Sequence, residues 1–358
     1  MNVSVAYAIA AAVCLTAGWF IPALVMRALA PTLRGSRLKS TNFRGRTVFL
    51  GLGLVWVVWV ISLMVASTAF DVVRHFVGPS PDGYTVALFE GPLTLPLYGI
   101  PLMLVGISVV LGLMDDLFGT HDDKGFRGHL SALSSGRLTT GGLKALGIGA
   151  ISAVYAWHIA QGRSPAASGW METVGTWLLA TLVIALSANF INLMDLRPGR
   201  ALKVYSLLVV IAAPLFAVDA SRAFRVYASS LAELGVAPWL PVDTLLAAVL
   251  MVLVLLGPVA AVWRLDLGEE GMLGDAGSNV MGAIVGYLLA SALPLEWMAV
   301  AAAALLALNV LSERVSYSAV IERVAPLRAL DRLGRLTDEA VAGVADAEGE
   351  AVPEGHEE

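Results

Sequence analysis

The chain has 358 residues, of which 58% are hydrophobic and only 14% are charged, and its formal net charge is −5. Because soluble domains carry about a quarter charged residues, this composition excludes an ordinary soluble domain as well as secreted, disordered and nucleic-acid-binding proteins. The single cysteine, Cys14, excludes a disulfide framework within the chain.

Nine uncharged and mostly apolar runs follow one another along the chain. Most of them are longer than the roughly 18 residues that mark a bilayer-spanning helix. They predict an all-α, polytopic integral membrane protein with about nine transmembrane helices. The runs cover residues 1–26, 47–70, 91–114, 145–162, 173–194, 204–218, 244–263, 276–295 and 297–312.

The basic residues between the runs predict the orientation. Nineteen of the 23 Lys and Arg residues fall on one side of the membrane if the nine runs all span it. Since basic loops stay in the cytoplasm, the N-terminus is expected outside and the C-terminus inside. The nineteen lie within residues 27–46, 124–144, 197–203, 264 and 314–335.

The predicted spans divide the chain into three parts. Residues 1–312 form the transmembrane domain. Residues 313–336 have apolar side chains near helical spacing with arginines between them, which indicates an amphipathic interfacial helix on the cytoplasmic face. Residues 337–358 are strongly acidic and are expected to be a disordered tail.

The first polar cluster ends the third predicted helix, at Asp115 and Asp116. Two adjacent carboxylates repel each other, and the helix macrodipole at a C-terminus disfavours both. A cation should offset this charge, either Mg²⁺ or one of the nearby basic residues. Those residues are Lys124, Arg127 and Lys144. The alternative is an ordinary solvated helix end.

The second cluster ends the fifth predicted helix, where Asn189, Asn192 and Asp195 are spaced by three residues. This spacing places them on one helix face. Three polar groups on an otherwise apolar helix require a polar partner that lipid cannot supply. The alternative explanation is hydrogen bonding between helices.

The third cluster, Gly274, Asp275 and Ser278, opens the eighth predicted helix. Glycine lets a ligand approach the backbone closely, and a helix N-terminus offers free N–H groups to an anion. The alternative is that Asp275 is an N-cap. Taken together, three clusters on one side of the membrane predict a metal–phosphate site.

In this order and spacing, the motifs resemble those of the polyprenyl-phosphate N-acetylhexosamine-1-phosphate transferases (glycosyltransferase family 4). That family includes the phospho-MurNAc-pentapeptide translocase and the initiating GlcNAc-1-phosphate transferases. The resemblance covers roughly residues 1–312 and implies that these form a catalytic domain. It also implies transfer of a sugar-1-phosphate from a UDP-sugar to undecaprenyl phosphate, with release of UMP, in cell-envelope glycopolymer synthesis.

The resemblance further implies a bacterial plasma-membrane enzyme whose active site faces the cytoplasm and uses Mg²⁺, or Mn²⁺ in its place. Asp275 matches a metal ligand of the family, and the Asp115–Asp116 pair matches groups that handle the lipid phosphate. The expected catalytic residues are Asp115, Asp116 and Asp195. The expected substrate-binding residues are Lys124, Lys144, Asn189, Asn192, Gly274 and Ser278. The sequence leaves open whether the protein forms a homodimer.

Two pieces differ from the family pattern. Pro198 stands where the family has a second Asp, and residues 313–335 contain no histidine, where the family has a His-rich motif. Arg197 and Arg200 flank Pro198, and arginine binds phosphate through two parallel hydrogen bonds, so both are expected to bind substrate phosphate. Their alternative role is loop charge that sets the topology. A catalytically silent binding or regulatory protein, or an ion-coupled transporter, is the alternative function.

Overall fold

The computed structural model describes residues 3–77, 100–119, 128, 134–163, 169–233 and 244–337. Within these residues the chain is almost entirely helical, and seven helical segments are long and apolar enough to cross a bilayer. The predicted all-α, polytopic membrane fold is therefore confirmed. The count of nine spans and the orientation remain predictions.

The described residues contain twelve α-helices. The first two are joined by a π-helical turn at Thr16–Phe20 into one continuous rod. The helices are α1 Val3–Leu15, α2 Ile21–Arg34, α3 Leu54–Val77, α4 Leu102–Phe118, α5 Thr140–Arg163, α6 Trp170–Met194, α7 Arg200–Glu233, α8 Thr244–Leu267, α9 Gly274–Ala292, α10 Leu295–Ser312, α11 Tyr317–Arg323 and α12 Ala325–Arg332.

Each of the nine apolar runs corresponds to a helix, but two of those helices do not qualify as spans by length and hydropathy. These are α4, which has 17 described residues, and α9, whose first turn carries polar residues. The run at 204–218 is part of α7, which has 34 residues. Leu293 and Pro294 separate α9 from α10.

The run that begins at residue 47 does not begin as a helix. Residues Thr47–Leu50 form a strand, β2, which pairs antiparallel with β1 (Lys39–Thr41) and parallel with β3 (Gly271–Met272). Gly51 then turns the chain at a φ of +121°, and α3 begins three residues later. Since β3 leads directly into α9, this small sheet fixes the first loop of the chain beside the start of α9.

Helix α9 lies at the centre of the bundle and is buried along most of its length. It packs antiparallel against α6 at a very short distance, because two of its glycines face the α6 backbone. A Cβ at Gly286 would lie 2.7 Å from Ile184 Cα, and Gly282 lies against Ser187 and Ala188. The antiparallel packing brings the last turn of α6 next to the first turn of α9.

Aromatic side chains of α3 connect this helix to α7 and α8 within the core. Trp56 lies edge-on to both Trp59 and Tyr205, with ring centroids 5.6 Å apart in each pair. Trp59 Nε1 donates to the Val254 carbonyl at 3.0 Å, which satisfies its polar atom inside the bundle.

The C-terminal segment departs from the prediction of one interfacial helix over residues 313–336. It consists of two short helices, α11 and α12, with an extended residue, Val324, between them. Pro326 explains the break, because a proline lacks an N–H and clashes with the carbonyl four residues earlier. The predicted acidic tail lies outside the described residues from residue 338 onward.

Candidate functional site

Asp116, in the last turn of α4, caps the N-terminus of α9. Its Oδ1 accepts the backbone N–H of Asp275 at 2.9 Å, and its Oδ2 accepts that of Ala276 at 3.1 Å. Gly274 has a φ of +66°, and a Cβ at this position would lie 2.5 Å from Asp116 Oδ2. Glycine therefore permits this approach. The capping role that the sequence suggested for Asp275 belongs instead to Asp116.

Lys144, near the start of α5, lies between carboxylates from two other helices. Its Nζ is 2.8 Å from Asp115 Oδ2, and it also forms an ion pair with Asp275. Lys144 is therefore a cation of the kind that the adjacent aspartates require. The other residues considered for this role, Lys124 and Arg127, lie outside the described residues.

The carboxylates around Lys144 remain accessible. The exposed fractions of the Asp115 and Asp275 side chains are 18% and 24%, so water or a ligand can reach both. One ammonium group balances only one of these two charges, and Asp116 adds a third carboxylate nearby. The site therefore carries an excess of negative charge.

Asn192 belongs to this site and Asn189 does not, although they share a stripe on α6. Ser278 Oγ lies 3.0 Å from Asn192 Oδ1, which joins the end of α6 to the start of α9. Asn189 Nδ2 instead donates to Asn309 Oδ1 on α10 at 2.6 Å. Asn309 in turn donates to the Leu186 carbonyl at 3.2 Å. Asn189 thus contributes to interhelical hydrogen bonding, the alternative left open above.

Asp195 follows the last residue of α6 and faces the start of α9. Burial raises the pKa of its carboxyl well above the usual range, and the negative charges of Asp266, Asp275 and Asp116 raise it further. A hydrogen bond from the Gly274 N–H acts in the opposite direction. Asp195 therefore lies close enough to the other carboxylates for their charges to raise its pKa.

Asp266, at the end of α8, is a residue that the sequence analysis did not select. Its Oδ2 accepts the Gly199 N–H at 2.6 Å, and the residue is only 4% exposed. It thereby holds the loop that follows Asp195. The sequence does contain the signal that identified the other aspartates, a carboxylate at the end of an apolar helix. Arg264, two residues earlier, made Asp266 resemble ordinary loop charge.

The two arginines of this loop have different surroundings. Arg200 is buried, and its guanidinium is hydrogen-bonded to Asp331 at 2.7 and 3.2 Å and to Ser318 at 2.9 Å. These partners occupy the guanidinium of Arg200. Arg197 lies over the ring of Phe43, with 4.4 Å from its Cζ to the ring centroid.

We use the name carboxylate cluster for Asp115, Asp116, Asp195 and Asp275 together with Lys144. Among the described residues, no group of three or more His, Cys, Asp or Glu side chains is arranged to hold a metal ion unaided. Mg²⁺, however, is commonly bound by one or two carboxylates plus substrate phosphates. Asp115 and Asp275 are the two carboxylates that converge on Lys144. Both are hard oxygen donors, and the position between them already favours a cation. They fit such a site.

Comparison with known proteins adds no assignment. No protein-family model matches the chain, and no curated protein matches it. The family resemblance therefore depends on the motifs themselves.

Proposed function

We propose that this protein transfers a sugar-1-phosphate, of the N-acetylhexosamine class, from a UDP-sugar to undecaprenyl phosphate. In the reaction an oxygen of the lipid phosphate attacks the β-phosphorus of the UDP-sugar. The bond between that phosphorus and the bridging oxygen breaks, and UMP leaves with the bridging oxygen. The product is an undecaprenyl diphosphate sugar.

The observation that carries this proposal is the convergence of three motifs at one edge of the bundle. Asp115 comes from the end of α4, Asp195 from the end of α6 and Asp275 from the start of α9, although they are far apart in sequence. Several carboxylates that one lysine does not balance are costly at the edge of a membrane protein, so their accumulation supports a binding role.

The residues of the carboxylate cluster have distinct roles in this proposal. Asp116 holds the start of α9 in place, so it positions Asp275. Bound Mg²⁺, held by Asp115 and Asp275, would neutralise the charge that develops on the diphosphate during transfer. The Lys144 ammonium group, which lies between these two carboxylates, would bind a phosphate oxygen.

The test is release of UMP by the purified full-length chain. It is incubated with undecaprenyl phosphate, Mg²⁺ and a panel of UDP-sugars, and UMP is quantified by chromatography. We expect release with one donor or a few, dependent on both the lipid and the metal. Absence of release with every donor, from protein that remains folded, would contradict the proposal.

A catalytically silent binding protein is the second candidate, and one observation favours it. Lys144 already forms ion pairs with both carboxylates expected to bind the metal, so each has a cationic partner within the chain. Pro198 also removes a carboxylate from the neighbouring loop. Binding of a UDP-sugar without UMP release would identify this function.

The cytoplasmic orientation is proposed from the basic loops and has its own test. Cys14 is buried, so single cysteines introduced elsewhere can be labelled over a low background. Ala319→Cys lies between α10 and the C-terminus. Gly162→Cys lies near the end of α5, whereas Lys144 lies near its start. On intact cells an impermeant maleimide should label position 162 and not 319. The reverse pattern would invert the assigned orientation.

A further inference from the structure

Three arginines from distant parts of the chain surround one aromatic ring. The ring belongs to Phe43, between β1 and β2, and the distances from each arginine Cζ to its centroid are 5.2 Å for Arg44, 4.4 Å for Arg197 and 5.0 Å for Arg335. All three distances are within the range of a cation–π contact. We use the name arginine cluster for Phe43, Arg44, Arg197 and Arg335.

The carboxylates nearby do not balance this cluster. Arg44 pairs with Glu269 at 3.2 Å, and Arg335 pairs with Asp331 at 2.9 Å. Asp331 is also the partner of Arg200, so one carboxylate serves two guanidiniums. Arg197 forms no ion pair with any carboxylate that the structure describes; its recorded side-chain contact is with the Phe43 ring.

The excess positive charge has an energetic cost. The Arg335 side chain is only 7% exposed, and its Nε has no hydrogen-bond partner within the described residues. Burial lowers the pKa of the Arg335 guanidinium, and the positive charges of Arg197 and Arg44 lower it further. Crowded, incompletely paired guanidiniums are destabilising unless an anion offsets them.

The position of the cluster connects it to the carboxylate cluster. Arg197 follows Asp195 by two residues on the same loop, and β2, which follows Arg44, pairs with β3, which leads into α9. The chemical complement is an anion with several oxygens in a plane or a tetrahedron, because guanidinium groups bind phosphate through paired hydrogen bonds.

We infer that the arginine cluster is a binding site for a phosphate group, assembled from the first loop, the α6–α7 loop and the segment after α12. The inference extends the proposed function, since a UDP-sugar and undecaprenyl phosphate both carry phosphate. It also assigns a binding role to Arg44 and Arg335 and a positioning role to Phe43, residues outside the three motifs.

The test measures binding and requires no turnover. The full-length chain is reconstituted in phosphatidylcholine nanodiscs and titrated calorimetrically with UDP in one arm. In the other arm, undecaprenyl phosphate is incorporated in the disc and detected by protection against thermal unfolding. Arg197→Ala is the main variant because it breaks no ion pair. Arg332→Ala, on the exposed side of α12, is the matched control.

We expect Arg197→Ala to weaken binding of one of the two ligands about tenfold to a hundredfold, as expected for loss of a charged hydrogen bond. Arg197→Lys should recover part of the loss, and Arg332→Ala should bind normally. The ligand whose binding is weakened, UDP or undecaprenyl phosphate, is the one whose phosphate the arginine cluster binds. Unchanged affinity for both ligands in Arg197→Ala, or an equal loss in Arg332→Ala, would overturn the inference.

The two proposals fail in different ways. If the chain binds phosphate through Arg197 but releases no UMP, the phosphate site is supported and the transferase function is contradicted. If the chain releases UMP but Arg197→Ala binds both ligands with unchanged affinity, the transferase function is supported and the phosphate site is contradicted.

Discussion

The carboxylate cluster and the arginine cluster lie at the same edge of the bundle, but their charges are unbalanced in opposite senses. In the carboxylate cluster, Lys144 lies between Asp115 and Asp275 and cannot neutralise both. In the arginine cluster, Asp331 is shared and Arg197 has no carboxylate partner within the described part of the chain. A cation and a phosphate bound together would complement both.

The Arg200–Asp331 pair shows a different kind of contact in the same region, although Asp331 also pairs with Arg335. Both side chains are 3% exposed, and the carboxylate accepts two hydrogen bonds from the guanidinium. A buried pair of this kind, joined by two hydrogen bonds, holds elements together, here α7 and α12. A group of charges that lacks a full set of partners is a candidate for binding. The difference predicts different consequences for mutation.

The largest expected effect is on stability, from breaking the buried pair. Arg200→Ala leaves Asp331 buried without that partner, which should lower the free energy of unfolding by about 3–5 kcal/mol. Denaturant titration in mixed micelles measures this. The double variant Arg200→Met, Asp331→Leu should recover only part of the loss, because it removes both charges of the pair but also the carboxylate partner of Arg335. A small effect in the single variant would show that the Arg200–Asp331 pair does not hold α7 and α12 together.

The same pair predicts an acid transition. Although burial acts in the opposite direction, the hydrogen bonds and charge of Arg200 hold the pKa of Asp331 below its usual value of 3.8. Since the folded pKa is depressed, the stabilisation is complete at neutral pH and is lost as the pH falls below about 4. Stability of the wild type should therefore decrease there more steeply than that of the double variant.

The next largest effect is on catalysis, from the carboxylate cluster. An amide in Asp275→Asn cannot replace the charge of a metal ligand, so turnover should fall roughly a hundredfold to a thousandfold while the protein remains folded and extractable. The matched control is Glu322→Gln, which removes an exposed carboxylate paired with Arg332. UMP release at wild-type rate by the Asp275 variant would exclude the metal role.

A smaller effect is expected at Asp116, whose role is to cap α9. Asp116→Ala removes the acceptor of two backbone N–H groups and should lower the free energy of unfolding by about 1–3 kcal/mol. Asp116→Asn retains one acceptor oxygen and should lose less stability. Thermal unfolding of the three proteins side by side gives the ranking. Equal stability of all three would leave α9 without its proposed cap.

The smallest effect is expected from the hydrogen bond between α6 and α10. Asn189→Ala should cost about 0.6 kcal/mol of stability, the average for such bonds in membrane proteins, and should leave UMP release unchanged. Asn192→Ala, three residues further along the same stripe, should reduce UMP release instead. A reversed result would place Asn189 rather than Asn192 in the site.

Much of the fold was predictable because bilayer crossing requires long apolar runs. All nine runs correspond to helices, and the three polar clusters at their ends do approach one another, as shown by the contacts of Asp116 with Asp275 and of Ser278 with Asn192. The strand at Thr47–Leu50 was missed because an apolar run does not distinguish a short strand from the start of a helix.

The remaining features depend on partners that spacing cannot identify. A three-residue spacing places Asn189 and Asn192 on one face of α6, but it does not show which neighbouring helix each one meets. Arg200 was predicted to bind substrate phosphate, because its pairing with Asp331, 131 residues away in sequence, is not visible in the spacing. Pairings of this kind follow from tertiary packing, which one sequence does not contain.

The most direct test of the central claim follows the phosphorus atom that is transferred. The full-length chain is incubated with Mg²⁺, undecaprenyl phosphate and a UDP-sugar labelled with ³²P at the β-phosphate, and the lipid is then extracted. The account predicts label in the lipid fraction and unlabelled UMP in the aqueous fraction, with both lost in Asp275→Asn. Label retained entirely in the aqueous fraction, as UDP-sugar or UDP, would contradict it.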